Sequence, residues 1–220
     1  MDDERFKKRI NETMIEMFAL DRILPLETVY SFFIGQYNQV NGKGVFFRDR
    51  KFQRLREGYF ALFAALTFND TQKKPYYLYF PSDASNDVNI GFPKINTETK
   101  CEFEAYPFDI KEFTEFSQSF QEFVDKSVAP KINIYNLIIV TYRYMNGKDL
   151  EYLVDYLKNH APDTKVWLTG ASTKDHDYVD TARVTIVDSS GILYNKDINL
   201  NEWLDKNKPP IVYQDVVRLK

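Results

Sequence analysis

Two glutamates stand two residues apart in Lys100–Tyr106, KCEFEAY, and an aspartate heads the run NDVNI at 86–90. In an extended chain successive side chains alternate, so Glu102 and Glu104 share one face about 7 Å apart. Asp87 on a neighbouring strand would bring a third carboxylate to the same sheet. Such a group offers hard oxygen ligands to a divalent cation such as Mg²⁺. The same residues, with Asn89, would equally make the wet face of an antiparallel sheet. Residue types alone leave both readings open.

A second group is basic. Between Lys43 and Arg56 lie Lys43, Arg48, Arg50, Lys51, Arg54 and Arg56, with Asp49 the only acid and Phe46, Phe47 and Phe52 interleaved. This pattern suits contacts to phosphates, whose strength would fall with salt. It also suits a solvated helix start whose arginines pair with an acidic helix expected at 109–125. The sequence has no glycine-rich phosphate loop, no dinucleotide fingerprint and no nucleophile elbow. His160 ends a predicted helix, where a cation suits the helix dipole, and His176 falls in a polar loop. Cys101 lies on the apolar side of its strand and reads as a small buried hydrophobe.

The elements that must position these groups follow from periodicity. Phe6, Ile10, Met14, Met17 and Phe18 recur at helical spacing over 4–20. Pro25 opens a second helix, NGKG at 41–44 is a turn, and GYFALFAALTF reads as a buried helix carrying Glu57 just ahead of it. The period then changes. PYYLYF, DVNIGF and CEFEAY read as three strands, with Val88, Ile90 and Phe92 on one face of the second. Cys101, Phe103 and Ala105 form the apolar face of the third. After Pro107, the spacing of Phe113, Phe116, Phe120 and Phe123 predicts a helix packed on the sheet. INIYNLIIVTYRY is a buried strand and DLEYLVDYLKNH a helix. KVWLTG, ARVTIVD and ILYNKDI are strands, NLNEWLDKN is a short helix, and PPIVYQDVVRLK a closing strand.

This order describes an α/β protein with a mixed central sheet flanked by helices. We divide it into an N-terminal helical extension, 1–50, and an α/β domain, 51–220. Hydrophobic residues make up 44% of the 220, enough for a sizeable core, and the 18 Phe and 15 Tyr supply much of it. A net charge of −3 does not advertise nucleic acid, although a local patch can act on its own. One cysteine excludes an internal disulfide and a multi-cysteine zinc site. The sequence contains neither a signal-peptide pattern nor a membrane-length apolar run, so no membrane partner is expected and the expected location is cytoplasmic, or nuclear in a eukaryote.

Helix, strand, strand, strand, helix, strand, with acids at Glu57, Asp87 and Glu102, resembles the PD-(D/E)XK nuclease-like (restriction endonuclease-like) superfamily. That pattern places an Asp at the second core strand, an acid and a Lys two apart on the third, and often a Glu in the first helix. Asp87, Glu102 and Glu57 match the three acids. Glu104 falls where the family has Lys, as in some restriction endonucleases with Glu or Gln there. Asn86 stands where the family has Pro. A shifted alignment makes Glu104 the acid and puts Tyr106 at the Lys position. The resemblance covers roughly 50–142 and implies a restriction endonuclease-like core that hydrolyses DNA phosphodiester bonds. In that site Asp87 and Glu102 hold Mg²⁺, and Glu104 accepts a proton from the attacking water. It also implies DNA as partner and a homodimer as a common assembly. Two other functions remain open. One is an inactive nuclease-like protein that binds nucleic acid or a protein partner. The other is a Rossmann-like ligand-sensing or interaction domain using TGAST, at 169–173, as its loop.

Overall fold

A computed structural model of the chain describes residues 23–40, 46–47, 49–72, 74–81, 86–95, 101–114, 118–142, 145–171 and 180–206. The expected helix at 4–20, the closing strand after 207, Lys43, Arg48, Phe116 and His176 lie outside the described residues. The expected α/β class is observed. Among the described residues eight strands form one mixed sheet in sequential order, with five α-helices. The strands are β1 (Ile23–Pro25), β2 (Tyr77–Tyr79), β3 (Val88–Ile95), β4 (Cys101–Phe113), β5 (Asn136–Thr141), β6 (Val166–Ala171), β7 (Thr181–Asp188) and β8 (Gly191–Asn199). The helices are α1 (Leu26–Gln39), α2 (Gln53–Gln72), α3 (Phe120–Phe123), α4 (Gly147–His160) and α5 (Leu200–Lys206). Pairing is antiparallel for β1–β2 and β2–β3, parallel for β4–β5 and β5–β6, and antiparallel for β6–β7 and β7–β8. Among the described residues no helix is long and apolar enough to cross a membrane.

The chain divides into two compact units between Tyr106 and Pro107, within β4. In the first, α1 packs on α2 through aromatic rings. Phe33 stacks on Tyr59 with centroids 3.8 Å apart, and Phe46 meets Phe33 edge-on and stacks on Phe52. Each such pair adds to plain area burial. Arg50–Phe52 forms one 3₁₀ turn whose start is capped by Asp49, accepting from the Lys51 amide at 3.0 Å. The turn feeds directly into α2, whose residues 55–67 are all buried.

In the second unit the parallel strands carry apolar residues on both faces, as their near-continuous run of Leu, Ile and Val requires. Leu137, Ile139, Val166 and Leu168 on one face pack with Phe113, with Phe120 and Phe123 of α3, and with Leu153 and Leu157 of α4. One expectation fails here. Residues 109–113 are not the start of a helix but the end of β4, in register with β5 from Phe108↔Asn136 to Phe113↔Thr141. The phenylalanine spacing belongs to two elements, and α3 begins only at Phe120. Ser119 sets that start: its hydroxyl accepts from the Glu122 amide while the Glu122 carboxylate accepts from the Ser119 amide, a reciprocal capping box. The acidic helix expected to neutralise the basic stretch is therefore not the element formed by 109–113.

Candidate functional site

Of the expected acids, Glu104 lies on the wet outer half of β4. Its carboxylate accepts from the Tyr106 hydroxyl at 2.8 Å and pairs with the Lys94 ammonium at 3.6 Å. The Tyr106 hydrogen bond holds the Glu104 carboxyl below its ordinary range; desolvation, next in size, opposes it, and the Lys94 ammonium and then the Lys74 charge add to the lowering. The same hydrogen bond pushes the Tyr106 phenol up. The expected apolar face of this half is incomplete, since Phe103 is half-buried and Ala105 exposed. The side chains of Cys101 and Glu102 lie outside the described residues. What fixes this half is backbone. A side chain at Gly91 would place its Cβ 2.3 Å from the Glu104 carbonyl oxygen and 2.8 Å from the Phe103 ring, so only glycine allows β3 this close to β4.

The helical acid and the strand-head aspartate come together within the first unit through an arginine. Glu57, in the first turns of α2, is buried, and its Oε1 accepts from Gln53 Nε2 at 2.8 Å. Arg54, one turn back on α2, reaches Glu57 Oε2 at 3.5 Å and donates to the Asp87 carbonyl at 2.9 Å. Asp87 itself is half-buried at the head of β3. Asn86 stands where a proline was expected from the resemblance, and it is buried, its amide donating to the Val88 carbonyl at 2.8 Å. That bond ties the bend to the strand it precedes.

The basic stretch separates into roles. Arg56, expected to contact nucleic acid, has its guanidinium buried and donating to the carbonyls of Phe46, at 3.1 Å, and Asp49, at 2.8 Å. It stitches the segment before α2 to the helix. Arg54 is largely committed to Glu57 and Asp87. Arg50 and Lys51 are exposed, with Lys51 paired to Asp49 at 3.3 Å and lying over the Phe52 ring. The outward-facing charge of the described stretch thus rests on these two.

Sequence reasoning passed over a further acid on β4, beyond Glu102 and Glu104. Asp109 and Lys111 are two residues apart, inside the segment first read as helix. Asp109 is buried, and its Oδ2 lies 2.7 Å from the Lys111 ammonium. That oxygen has no hydrogen-bonding partner apart from this ion contact. Register places Asp109 beside Leu137 and Lys111 beside Ile139, on the face that α3 and α4 cover. The local reason is parallel pairing: once β4 continues to Phe113, alternation sends 109, 111 and 113 to the covered face. The legible signal was an acid-x-Lys triplet, Asp109-Ile110-Lys111, together with the S-x-x-E helix start at 119–122. Among the described residues no group of three His, Cys, Asp or Glu side chains is placed to hold a metal ion. Asp109 Oδ2, held only by the Lys111 ammonium, and Glu57 Oε2 are the buried carboxylate oxygens that no hydrogen bond otherwise engages. One or two carboxylates suffice for Mg²⁺ when waters and substrate phosphates complete the shell. Compared with known proteins, the chain matches no family model, no curated protein and no solved structure.

Proposed function

We propose that the chain is a metal-dependent nuclease-like protein that acts on DNA, with Asp109 and Lys111, rather than Glu102 and Glu104, as the acid and lysine of its third core strand. The observation that carries this reading is the buried Asp109–Lys111 pair on β4, with β5 parallel beside it. The order α2, β2, β3, β4, α3, β5 supports it, since the resemblance requires the acid-x-Lys triplet on the third of three consecutive strands. Glu57 and Asp87 keep the chain positions of the helical acid and the second-strand acid.

The chemistry follows from the groups themselves. A bound Mg²⁺ would supply phosphate charge neutralisation and a more acidic water. Asp109 would offer Oδ2 as a ligand oxygen by exchanging its contact with the Lys111 ammonium for the cation. Lys111 would bring a positive charge to the scissile phosphate and hold a water by its ammonium. Arg50 and Lys51 would contact backbone phosphates, giving affinity without sequence readout.

The test is cleavage of plasmid, linear and branched DNA with Mg²⁺ or Mn²⁺, by the wild type, Asp109→Asn, Lys111→Ala and Glu102→Gln/Glu104→Gln. Activity lost in the first two variants and kept in the third supports the assignment. Activity lost only in Glu102→Gln/Glu104→Gln would return the site to the outer half of β4. Salt-dependent DNA binding with no cleavage by the wild type would make the chain an inactive nuclease-like binder.

A further inference from the structure

The wet outer half of β4 carries a set of aromatic rings beside its ion pair. Phe68, near the end of α2, lies parallel to Tyr76 at 5.1 Å and to Tyr106 at 6.1 Å, the second pair with planes 6° apart. Tyr76 anchors the set. It is buried, meets Phe92 edge-on, and its hydroxyl donates to Gln72 Oε1 at 2.6 Å. Phe68 and Tyr106 are half-buried, so the set emerges at the surface there. Among the described residues, Lys94, Lys74 and Glu104 stand beside it. The Lys94 side chain is 62% exposed and pairs with Glu104. Lys74 is exposed, lies over the Phe92 ring at 4.3 Å, and is close enough to help lower the Glu104 carboxyl. Glu104 gives one oxygen to the Tyr106 hydroxyl and the other to Lys94. An ionised carboxylate has about four acceptor positions, so it can take a further donor.

We propose that Tyr106, Glu104, Lys74 and Lys94 bind an unpaired nucleotide whose base carries an exocyclic amino group. Every base has a π-face to lay on a half-exposed aromatic ring, and stacking of this kind holds single strands without regard to sequence. The carboxylate adds a preference. It only accepts hydrogen bonds, so it suits the amino group of cytosine, adenine or guanine. Thymine flanks its one ring N–H with two carbonyl oxygens, which a carboxylate repels. The two ammoniums outnumber the carboxylate in this group and draw a phosphate to the same surface. A strand face that is merely wet calls for the charges and not for the parallel rings. A DNA strand as the source of the nucleotide rests on the nuclease-like reading. A free nucleotide offers the same chemistry, and the test separates the two.

Fluorescence anisotropy with short dC and dT oligonucleotides tests it on the full chain. EDTA is present, so no cleavage enters and a failed nuclease reading leaves the result unaffected. The wild type is expected to bind dC several-fold tighter than dT. Tyr106→Ala should weaken both about tenfold or more, whereas Tyr106→Phe, which keeps the ring, stays within about twofold. Glu104→Ala should remove the preference for dC. Lys94→Ala should weaken both strands and flatten the salt dependence. Competition by dCMP at the concentration the dC strand itself needs assigns the site to a free nucleotide, and competition only far above it assigns the site to a strand. Circular dichroism confirms that each variant is folded. A wild type that binds neither strand nor dCMP at low salt overturns the inference. So does a folded Tyr106→Ala chain that binds as the wild type does, or a preference for dC that survives Glu104→Ala.

Discussion

The two halves of β4 each carry charged residues two apart, and they use them in opposite ways. On the outer half Glu104 faces water, shared between a phenol and a lysine that solvent also screens. On the inner half Asp109 lies under a helix layer with Lys111 against it at 2.7 Å. The same spacing on the same strand is therefore a wet surface at one end and a desolvated ion pair at the other. The difference comes from what lies beside the strand. Parallel pairing with β5 brings the helices over one face, and a charge buried there has to find a partner. Spacing alone does not tell a site from a surface, whereas the cost of burying an unpaired charge does.

The sharpest way to break the outer half leaves its carboxylates alone. Gly91→Ala drives a Cβ to within 2.3 Å of the Glu104 carbonyl oxygen. Backbone must move, and we expect a loss of about 3 kcal/mol or more in urea denaturation. A loss below about 1 kcal/mol would mean that β3 and β4 can separate locally at little cost. On the inner half, Asp109→Ala leaves the Lys111 ammonium beside apolar neighbours. Because Lys111 is a quarter exposed, the expected loss is about 2–3 kcal/mol, below that of a fully buried pair. The double variant Asp109→Leu/Lys111→Met should recover most of it, since replacing both partners removes the charge problem. If the double variant regains stability but not DNA cleavage, the pair is kept for chemistry and not for the fold.

How much of this was legible depended on which pattern was locally unambiguous. Alternation in DVNIGF placed β3 and its buried Val88, Ile90 and Phe92. The apolar run of 58–67 placed α2 and with it Glu57. The inner half of β4 was lost because Pro107 suggested a strand end and four phenylalanines at intervals of three and four suggested a helix. Pro107 is tolerated inside the strand, where its carbonyl accepts from the Asn136 side-chain Nδ2 at 3.1 Å. The helix start was written in Ser119 and Glu122, a local signal that outranks phenylalanine spacing. The fate of the basic stretch was not readable. Nothing in FFRDRKFQRLRE distinguishes Arg56, turned inward onto two carbonyls, from Arg50, turned to water. That sorting depends on where the segment before α2 crosses the helix, which is tertiary information.

That boundary supplies the next prediction. Ser119→Ala removes one member of the capping box that separates β4 from α3, and we expect a loss of about 1 kcal/mol by chemical denaturation. Glu122→Gln should cost less than Ser119→Ala, because the amide side chain can still accept from the Ser119 amide. An equal or greater effect would show that the charge of Glu122, and not the cap geometry, sets the start of α3.

The smallest expected effect reads the outer half directly. The Glu104 carboxyl is held below its ordinary value chiefly by the Tyr106 hydroxyl, with Lys94 and Lys74 adding to it. A depressed carboxyl favours the folded state above the unfolded carboxyl range, and that contribution fades as pH falls through the folded value. At this exposed position the effect on unfolding is too small to measure, but the titration itself is visible by carboxyl-carbon NMR. Glu104 should titrate below an ordinary glutamate in the wild type and rise towards one in Tyr106→Phe. Added salt should move it less than Tyr106→Phe does, because ions screen the lysines and not a short hydrogen bond. If salt removes the whole shift and Tyr106→Phe does nothing, the lysines hold Glu104. The outer half of β4 would then differ from the inner half only in how much water reaches its ion pair.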